Sequence, residues 1–242
     1  MELLRRWLLL TLLGLLLLQL FFIARIALMA AIDPQSTAFQ RSELWRLATQ
    51  NQTARWRQTW RPWAQLAAPL KRAVIASEDD DFVNHDGVQW EAIERAWRKN
   101  TAAEQAAALR AEQNQPARPI RIAGGSTITQ QLAKNLFLSG ERTLPRKGQE
   151  LLLTYALEHL LTKQRILEIY LNSVEWGEGI FGAEAAARRY HGKSAAQLTP
   201  REAARLAVML PRPKYFERLP DSPWLAHRAT VIERRMAAAE LP

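Results

Sequence analysis

The stretch Gly124-Gly125-Ser126-Thr127-Ile128-Thr129-Gln130-Gln131-Leu132-Ala133-Lys134-Asn135 decides how the rest of the chain is read. Two glycines allow a backbone turn with no Cβ penalty. Thr127, followed three residues later by Gln130, reads as a capping box, so a helix is predicted to begin here. Ile128, Leu132 and Leu136 recur at i, i+4 and i+8 and supply its buried stripe. Thr127 and Lys134 lie two turns apart on one face, so hydroxyl and ammonium can line the same cleft wall. A Gly-rich turn, free helix N–H groups and a nearby lysine make a candidate anion site; a well-capped helix with one solvated lysine is the plain alternative.

Downstream, Ser139 to Thr143 is a loop by composition, and Pro145 opens a helix carrying Arg146, Lys147 and Glu150. That helix is apolar on most sides from Leu151 to Leu161, which predicts a place in the middle of the domain. Glu150 stands one turn in beside that core; an i−4 ion pair with Arg146 is its plainer reading. Helices are predicted again over Gln164–Val174 and Gly182–Arg189, with a turn at Trp176–Gly179 between them. Thr199-Pro200-Arg201-Glu202 is a complete helix start; Pro211 and Pro213 stop that helix, and Ser222-Pro223 opens the last. No strand-like alternation occurs, so the fold class is mainly all-α.

Upstream, residues 100–122 are Ala-, Glu- and Gln-rich without an apolar stripe, a partly helical excursion. Before it, Glu91–Trp97 is amphipathic. Lys71–Ser77 reads as a short apolar helix running into Glu78-Asp79-Asp80-Asp81-Phe82-Val83-Asn84-His85-Asp86-Gly87. Glu78, at the rim of a core, is positioned for partial desolvation, which raises the basicity of a carboxylate. His85 is read as holding a loop together by hydrogen bonds rather than as a metal ligand or base.

At the N-terminus, Arg5-Arg6 precede an apolar run from Trp7 to Ala24. As a helix it spans about 27 Å, close to the thickness of a bilayer's hydrocarbon. It exceeds a usual signal-peptide core and no small-x-small cleavage site follows. The organisation predicted is a membrane anchor over residues 1–32, a juxtamembrane stalk over 33–66 and a globular domain over 67–242. Positive charge before the span predicts a cytoplasmic N-terminus and a translocated domain. In the stalk, Trp45, Trp56, Trp60 and Trp63 alternate with Arg41, Arg46, Arg55, Arg57 and Arg61. That pairing suits lipid headgroups; with a span so near, a lipid surface is favoured over nucleic acid, and a helix packed on the domain is the plain alternative. Lys and Arg total 33 against 24 acids, a formal charge of +9, which suits a polyanionic partner; there are no cysteines, hence no disulfide or thiolate chemistry.

From the residues alone, the chemistry is two core-rim carboxylates, Glu78 and Glu150, flanking a basic, hydroxyl-rich helix start. Paired acids in a helical domain suggest reaction at a sugar anomeric carbon, and a cationic wall suggests a phosphate leaving group. The ordered segments Glu78-Asp79-x-x-Phe82-x-x-His85-x-Gly87, Gly125-Ser126-Thr127-Ile128-Thr129-Gln130-Gln131, Arg146-Lys147-x-x-Glu150 and Ile166-Leu167-Glu168-x-Tyr170-Leu171-Asn172 resemble the motifs of the peptidoglycan glycosyltransferase family, most of all its monofunctional biosynthetic transglycosylases. The resemblance covers roughly Pro69 to Phe216.

It implies a lysozyme-like helical lobe with a small jaw lobe against the membrane. It further implies polymerisation of lipid II into β-1,4 glycan strands by single-displacement inversion, with undecaprenyl diphosphate leaving. By motif position Glu78 matches the general base and Glu150 the second glutamate near the donor diphosphate. Lys134 and Arg142 match the cations on that diphosphate, Arg95 is a further candidate, and Ser126, Thr127, Gln130 and Gln131 belong to the substrate-binding motif. A divalent cation, Mg or Mn, is the implied helper, with no organic cofactor. The expected partners are lipid II, the growing strand, membrane lipid and cell-wall or division proteins, at the periplasmic face of the inner membrane. Gln89 departs from the pattern where Asp is usual, and His191 where Phe is common. Two rival readings are a lysozyme-type glycan-cleaving enzyme and a non-catalytic membrane-tethered scaffold.

Overall fold

The computed structural model describes residues 1–50, 56–113, 124–138 and 143–242. The chain opens with helix α1 (Glu2–Leu28), which is long and apolar enough to cross a membrane. Its C-terminal third docks on the domain. Ile26 is fully buried, Phe22 meets Phe137 edge-on at 5.3 Å, and Gln19 exchanges hydrogen bonds with Gln149 at 2.9 and 3.0 Å.

Of the segment read as a stalk, residues 33–50 and 56–66 pack against the domain, which is the plain alternative the sequence offered. Helix α2 (Ala38–Thr49) starts with a capping box between Thr37 and Gln40, and the Gln40 amide donates to the Ser173 carbonyl at 2.9 Å. Arg46 pairs with Glu178 and Arg61 with Glu184, each at 2.9 Å. Trp60 and Trp63 pack on the core and Trp56 on Phe181, whereas Trp45 is exposed. Most of the tryptophan–arginine alternation therefore mates with the far half of the chain, not with headgroups. Arg55 lies outside the described residues.

The domain continues with α3 (Ala68–Glu78), α4 (Trp90–Glu112), α5 (Ile128–Phe137), α6 (Leu144–Leu160) and α7 (Lys163–Ser173). A two-stranded antiparallel ribbon follows, β1 (Glu175–Gly177) with β2 (Ile180–Phe181), the turn predicted at Trp176–Gly179 forming its tip. Then come α8 (Ala183–His191), α9 (Pro200–Met209), α10 (Pro213–Arg218) and α11 (Pro223–Arg235). The fold is mainly α-helical, as the sequence pattern requires.

Three expectations change. The central helix is α7, buried at every position from Ile166 to Ser173, not α6. Helix α6 buries one face, with Leu153 and Leu157 inward, while Leu152 is exposed. The ribbon was not foreseen, because strands of three and two residues are too short to show alternation. Pro213 does more than stop α9: it occupies the first turn of α10. Helix α4 buries no residue, and the rest of the excursion, residues 114–123, lies outside the described region.

Around α7, one layer is α3 against α9 with α11 behind; the other is α5 against α6, with α2 on its flank. The C-terminus of α3 and the N-terminus of α5 meet at the seam between these layers. That seam holds the site.

Candidate active site

The seam is closed by Asp79, the residue after α3. It is buried, and its two carboxylate oxygens have separate tasks. Oδ2 accepts the Ile128 N–H at 2.9 Å, and Oδ1 meets His85 Nε2 at 2.8 Å. His85 Nδ1 in turn accepts the Gly87 N–H at 3.0 Å, which leaves the ring proton on Nε2, facing Asp79. His85 therefore holds the loop together, as expected.

The capping box of α5 forms as read. Thr127 Oγ1 accepts the Gln130 N–H at 3.1 Å, and the Gln130 side chain accepts the Thr127 N–H at 3.1 Å. Thr127 also donates to the Gly87 carbonyl at 2.6 Å, locking the two motifs together. Gly125 is required by a close approach: a Cβ there would sit 3.0 Å from Ile93 Cα.

These bonds correct one expectation. At the start of α5 the N–H groups of Thr127, Ile128 and Gln130 already donate within the protein and are not open to an outside anion. The anion that the helix start holds is Asp79. Nor do Thr127 and Lys134 share one wall. Thr127 lines a cavity of about 190 Å³ with Glu78, and Lys134 lines the neighbouring one of about 430 Å³ with Glu150.

The smaller cavity belongs to Glu78. Its carboxylate, half-buried, accepts Gln131 Nε2 at 3.1 Å and the Ser77 hydroxyl at 3.2 Å. Burial pushes Glu78 above the usual carboxylate range; the Gln131 and Ser77 hydrogen bonds oppose the shift and the Asp79 charge adds to it. Gln131 is itself fixed, since its Oε1 accepts the Tyr170 hydroxyl at 2.9 Å. Tyr170 is wholly buried, and burial beside Glu78 and Asp79 keeps its phenol protonated, well above its ordinary range. The support behind Glu78 is thus a relay of neutral donors. Arg95, exposed on α4, and Gln89 also line this cavity. Gln89 stands 3.5 Å from Asp81 and makes no contact with Glu78 through that bond.

The larger cavity belongs to Glu150. It is buried, with Arg146 Nη1 at 3.0 Å from one oxygen and Lys147 on the other. The plain reading of an i−4 ion pair is correct, and Lys147 adds to it. Lys134 reaches this cavity from the exposed edge of α5. Arg142 lies outside the described residues. Ser126 lines both cavities, and Gln131 touches Glu78 while lining the second. Glu78, Glu150, Lys134, Arg95, Ser126, Thr127, Gln130 and Gln131 therefore all line one or other of two cavities that share Ser126. Thr127 and Gln130 are their buried frame rather than their open wall.

The sequence reading missed the positioning residues. Tyr170 stands out in the sequence only as part of a motif, because its bond to Gln131 spans 39 residues. Asp79 stands in an acidic run, and an acid directly after a buried helix end is a recognisable partner for a distant N-terminus.

Residues 46–237 match the family model described as Transglycosylase. The chain belongs to the transglycosylase family. A biosynthetic peptidoglycan transglycosylase of Burkholderia thailandensis is 53% identical over 224 residues, 93% of this chain and 82% of the relative. One of Herminiimonas arsenicoxydans is 48% identical over 246 residues, covering 100% of both chains. A third, of Bordetella avium, is 49% identical over 233 residues, 93% of this chain and 92% of its own. The transglycosylase domain is the lysozyme-like helical fold expected. Its match begins inside α2, in keeping with the packing of that helix on the rest.

Proposed function

We propose that this enzyme is a peptidoglycan glycosyltransferase that polymerises lipid II into β-1,4 glycan strands and releases undecaprenyl diphosphate. The observation that carries the proposal is the junction at Gln131 and Ser126. It joins a compartment with one basic carboxylate to a compartment with fixed cations.

A sugar hydroxyl is a weak nucleophile, so a positioned base must take its proton as the bond forms. Glu78 takes the proton of the acceptor's 4-hydroxyl. Its raised basicity suits the task, and the Gln131–Tyr170 relay holds its second oxygen in place. Negative charge builds on the departing diphosphate, and Lys134, with Arg142 as a further candidate, stabilises it. Glu150 acts through the cations it holds, keeping Arg146 and Lys147 at the cavity wall. Attack opposite an α-linked diphosphate gives the β-linkage in a single displacement, with no covalent enzyme intermediate.

The docking of α1 supports a lipid-borne donor. Gln149, bonded to Gln19 of the apolar helix, is the neighbour in sequence of Glu150. The cation-lined cavity is thereby tied to the element that enters the bilayer. Arg5 and Arg6 before the span support a cytoplasmic N-terminus and a domain on the periplasmic face of the inner membrane. Cell-wall and division proteins are proposed partners. A divalent cation, Mg or Mn, is proposed only as a companion of the donor diphosphate. Among the described residues no group of three His, Asp or Glu could hold one, and no step runs through it.

The test is lipid II polymerisation by the full-length protein and its Glu78→Gln variant. Wild type lengthens chains, while the variant binds lipid II and polymerises it about 10²–10⁴-fold more slowly. Cleavage of mature glycan without synthesis, or full activity in the variant, would overturn the proposal.

A further inference from the structure

One buried carboxyl group on the larger cavity has no part in the mechanism above. Glu175, the first residue of β1, lines that cavity with Lys134, Arg146 and Glu150. Only 7% of it is exposed, and its Oε1 is buried without a hydrogen-bond partner. Lys214 Nζ stands 3.5 Å from that oxygen, a long ion pair. Lys214 is turned toward Glu43 on α2, its closer partner. Arg146, which lines the same cavity, likewise has a buried Nε without a partner. Native interiors rarely leave such atoms unpaired, and two on one cavity point to a polar ligand.

We propose that Glu175 is a further donor-binding residue, whose carboxyl group in its neutral form gives a hydrogen bond to an oxygen of the sugar-diphosphate head seated against Arg146. This rests on the reading of the larger cavity as the donor site. The neutral form is required by charge. An ionised carboxylate would repel a diphosphate, whereas a protonated one supplies a further hydrogen-bond donor.

The surroundings favour the neutral form. Burial is the main influence, Glu43 adds to it, Lys214 and Arg46 oppose it, and the outcome is a carboxyl pushed up to about 7. Tyr190 on α8 faces Glu175 as a neutral phenol, while Glu217 on α10 is turned to the Glu178 N–H. Across the cavity stand Lys134, Arg146, Lys147 and Glu150, the last three paired among themselves. An incoming diphosphate raises the proton affinity of Glu175 further, so binding takes up a proton. The sign follows: donor affinity is full below the carboxyl's free-state pKa and falls as pH rises through it.

The test uses the full-length Glu78→Gln protein, which slows turnover and removes the titration of the base. Lipid II is titrated onto it at pH 6 and pH 8; its diphosphate, esterified at both ends, exchanges no proton in this range. Binding is expected to be roughly tenfold weaker at pH 8. Adding Glu175→Gln is expected to leave the pH 6 affinity unchanged and abolish the pH dependence, while adding Glu175→Ala weakens binding at both. An unaltered pH dependence with Glu175→Gln, or an unweakened Glu175→Ala protein at pH 6, overturns the proposal. Calorimetry in two buffers of different ionisation enthalpy gives a second measurement on the Glu78→Gln protein alone. Proton uptake on binding at pH 8 supports the role, and its absence overturns it. Failure of wild type to polymerise lipid II counts against the donor-site reading itself; pH-independent binding counts against Glu175 only.

Discussion

Glu78 and Glu150 are the same residue at two core edges, and the protein treats them in opposite ways. Around Glu78 it places neutral donors, Gln131, Ser77 and, behind them, Tyr170. Around Glu150 it places Arg146 and Lys147. A carboxylate whose charge is only partly compensated is a proton acceptor in waiting; a carboxylate clasped by two cations is a bracket for those cations. The contrast supports the roles proposed for the two residues.

The sharpest way to break this contrast is to neutralise each glutamate in turn. Glu78→Gln is expected to lower the polymerisation rate by about 10²–10⁴-fold, with lipid II binding kept. It is also expected to raise the thermal midpoint at pH 7. The folded-state pKa of Glu78 lies above its unfolded value, so stability is full below the unfolded pKa and is lost as pH rises through the folded one. The gain should accordingly vanish near pH 4. If Glu78→Gln melts lower than wild type at pH 7, the carboxylate is not strained and the contrast collapses.

Glu150→Gln is expected to do the reverse, destabilising by roughly 2–4 kcal/mol, since it strands Arg146 in a largely buried setting. A denaturant titration reads this, and the rate loss should appear in KM for lipid II more than in kcat. Next in size, Tyr170→Phe removes the donor that orients Gln131. About 1–2 kcal/mol of stability should go, with a fall in kcat below about tenfold and little change in KM. Smallest is Thr127→Ser, which keeps both the cap and the bond to Gly87 and should cost under about 1 kcal/mol, against about 1–2 kcal/mol for Thr127→Val.

Legibility in the sequence followed the range of the interactions. The capping boxes at Thr127–Gln130 and Thr199–Glu202 are three-residue devices, and both form as read. The Glu150–Arg146 pair is one helical turn long and was equally accessible. By contrast, Arg46 and Arg61 looked like headgroup ligands because their carboxylate partners, Glu178 and Glu184, lie more than 120 residues away. Glu175 falls between the predicted helix and the predicted turn and carries no sequence signal, because its surroundings are made by α10 and α2, neither adjacent in sequence. Helix α6 looked central because its leucines surround it; on the structure some of that apolar surface faces away from the core near α1, beyond the reach of a periodicity argument. The chemistry-bearing motifs were legible one by one. Their division into a proton-accepting and a charge-holding compartment was not, because it depends on which neighbours the fold brings to each carboxylate.

The contact between Gln19 and Gln149 bears on how the enzyme is handled outside a bilayer. A version trimmed after Leu28 would bare Phe137 and cut the amide clasp one residue from Glu150. Solubilised fragments of that kind should be sticky and should report sluggish donor turnover, an artefact of amputation rather than a property of the catalyst.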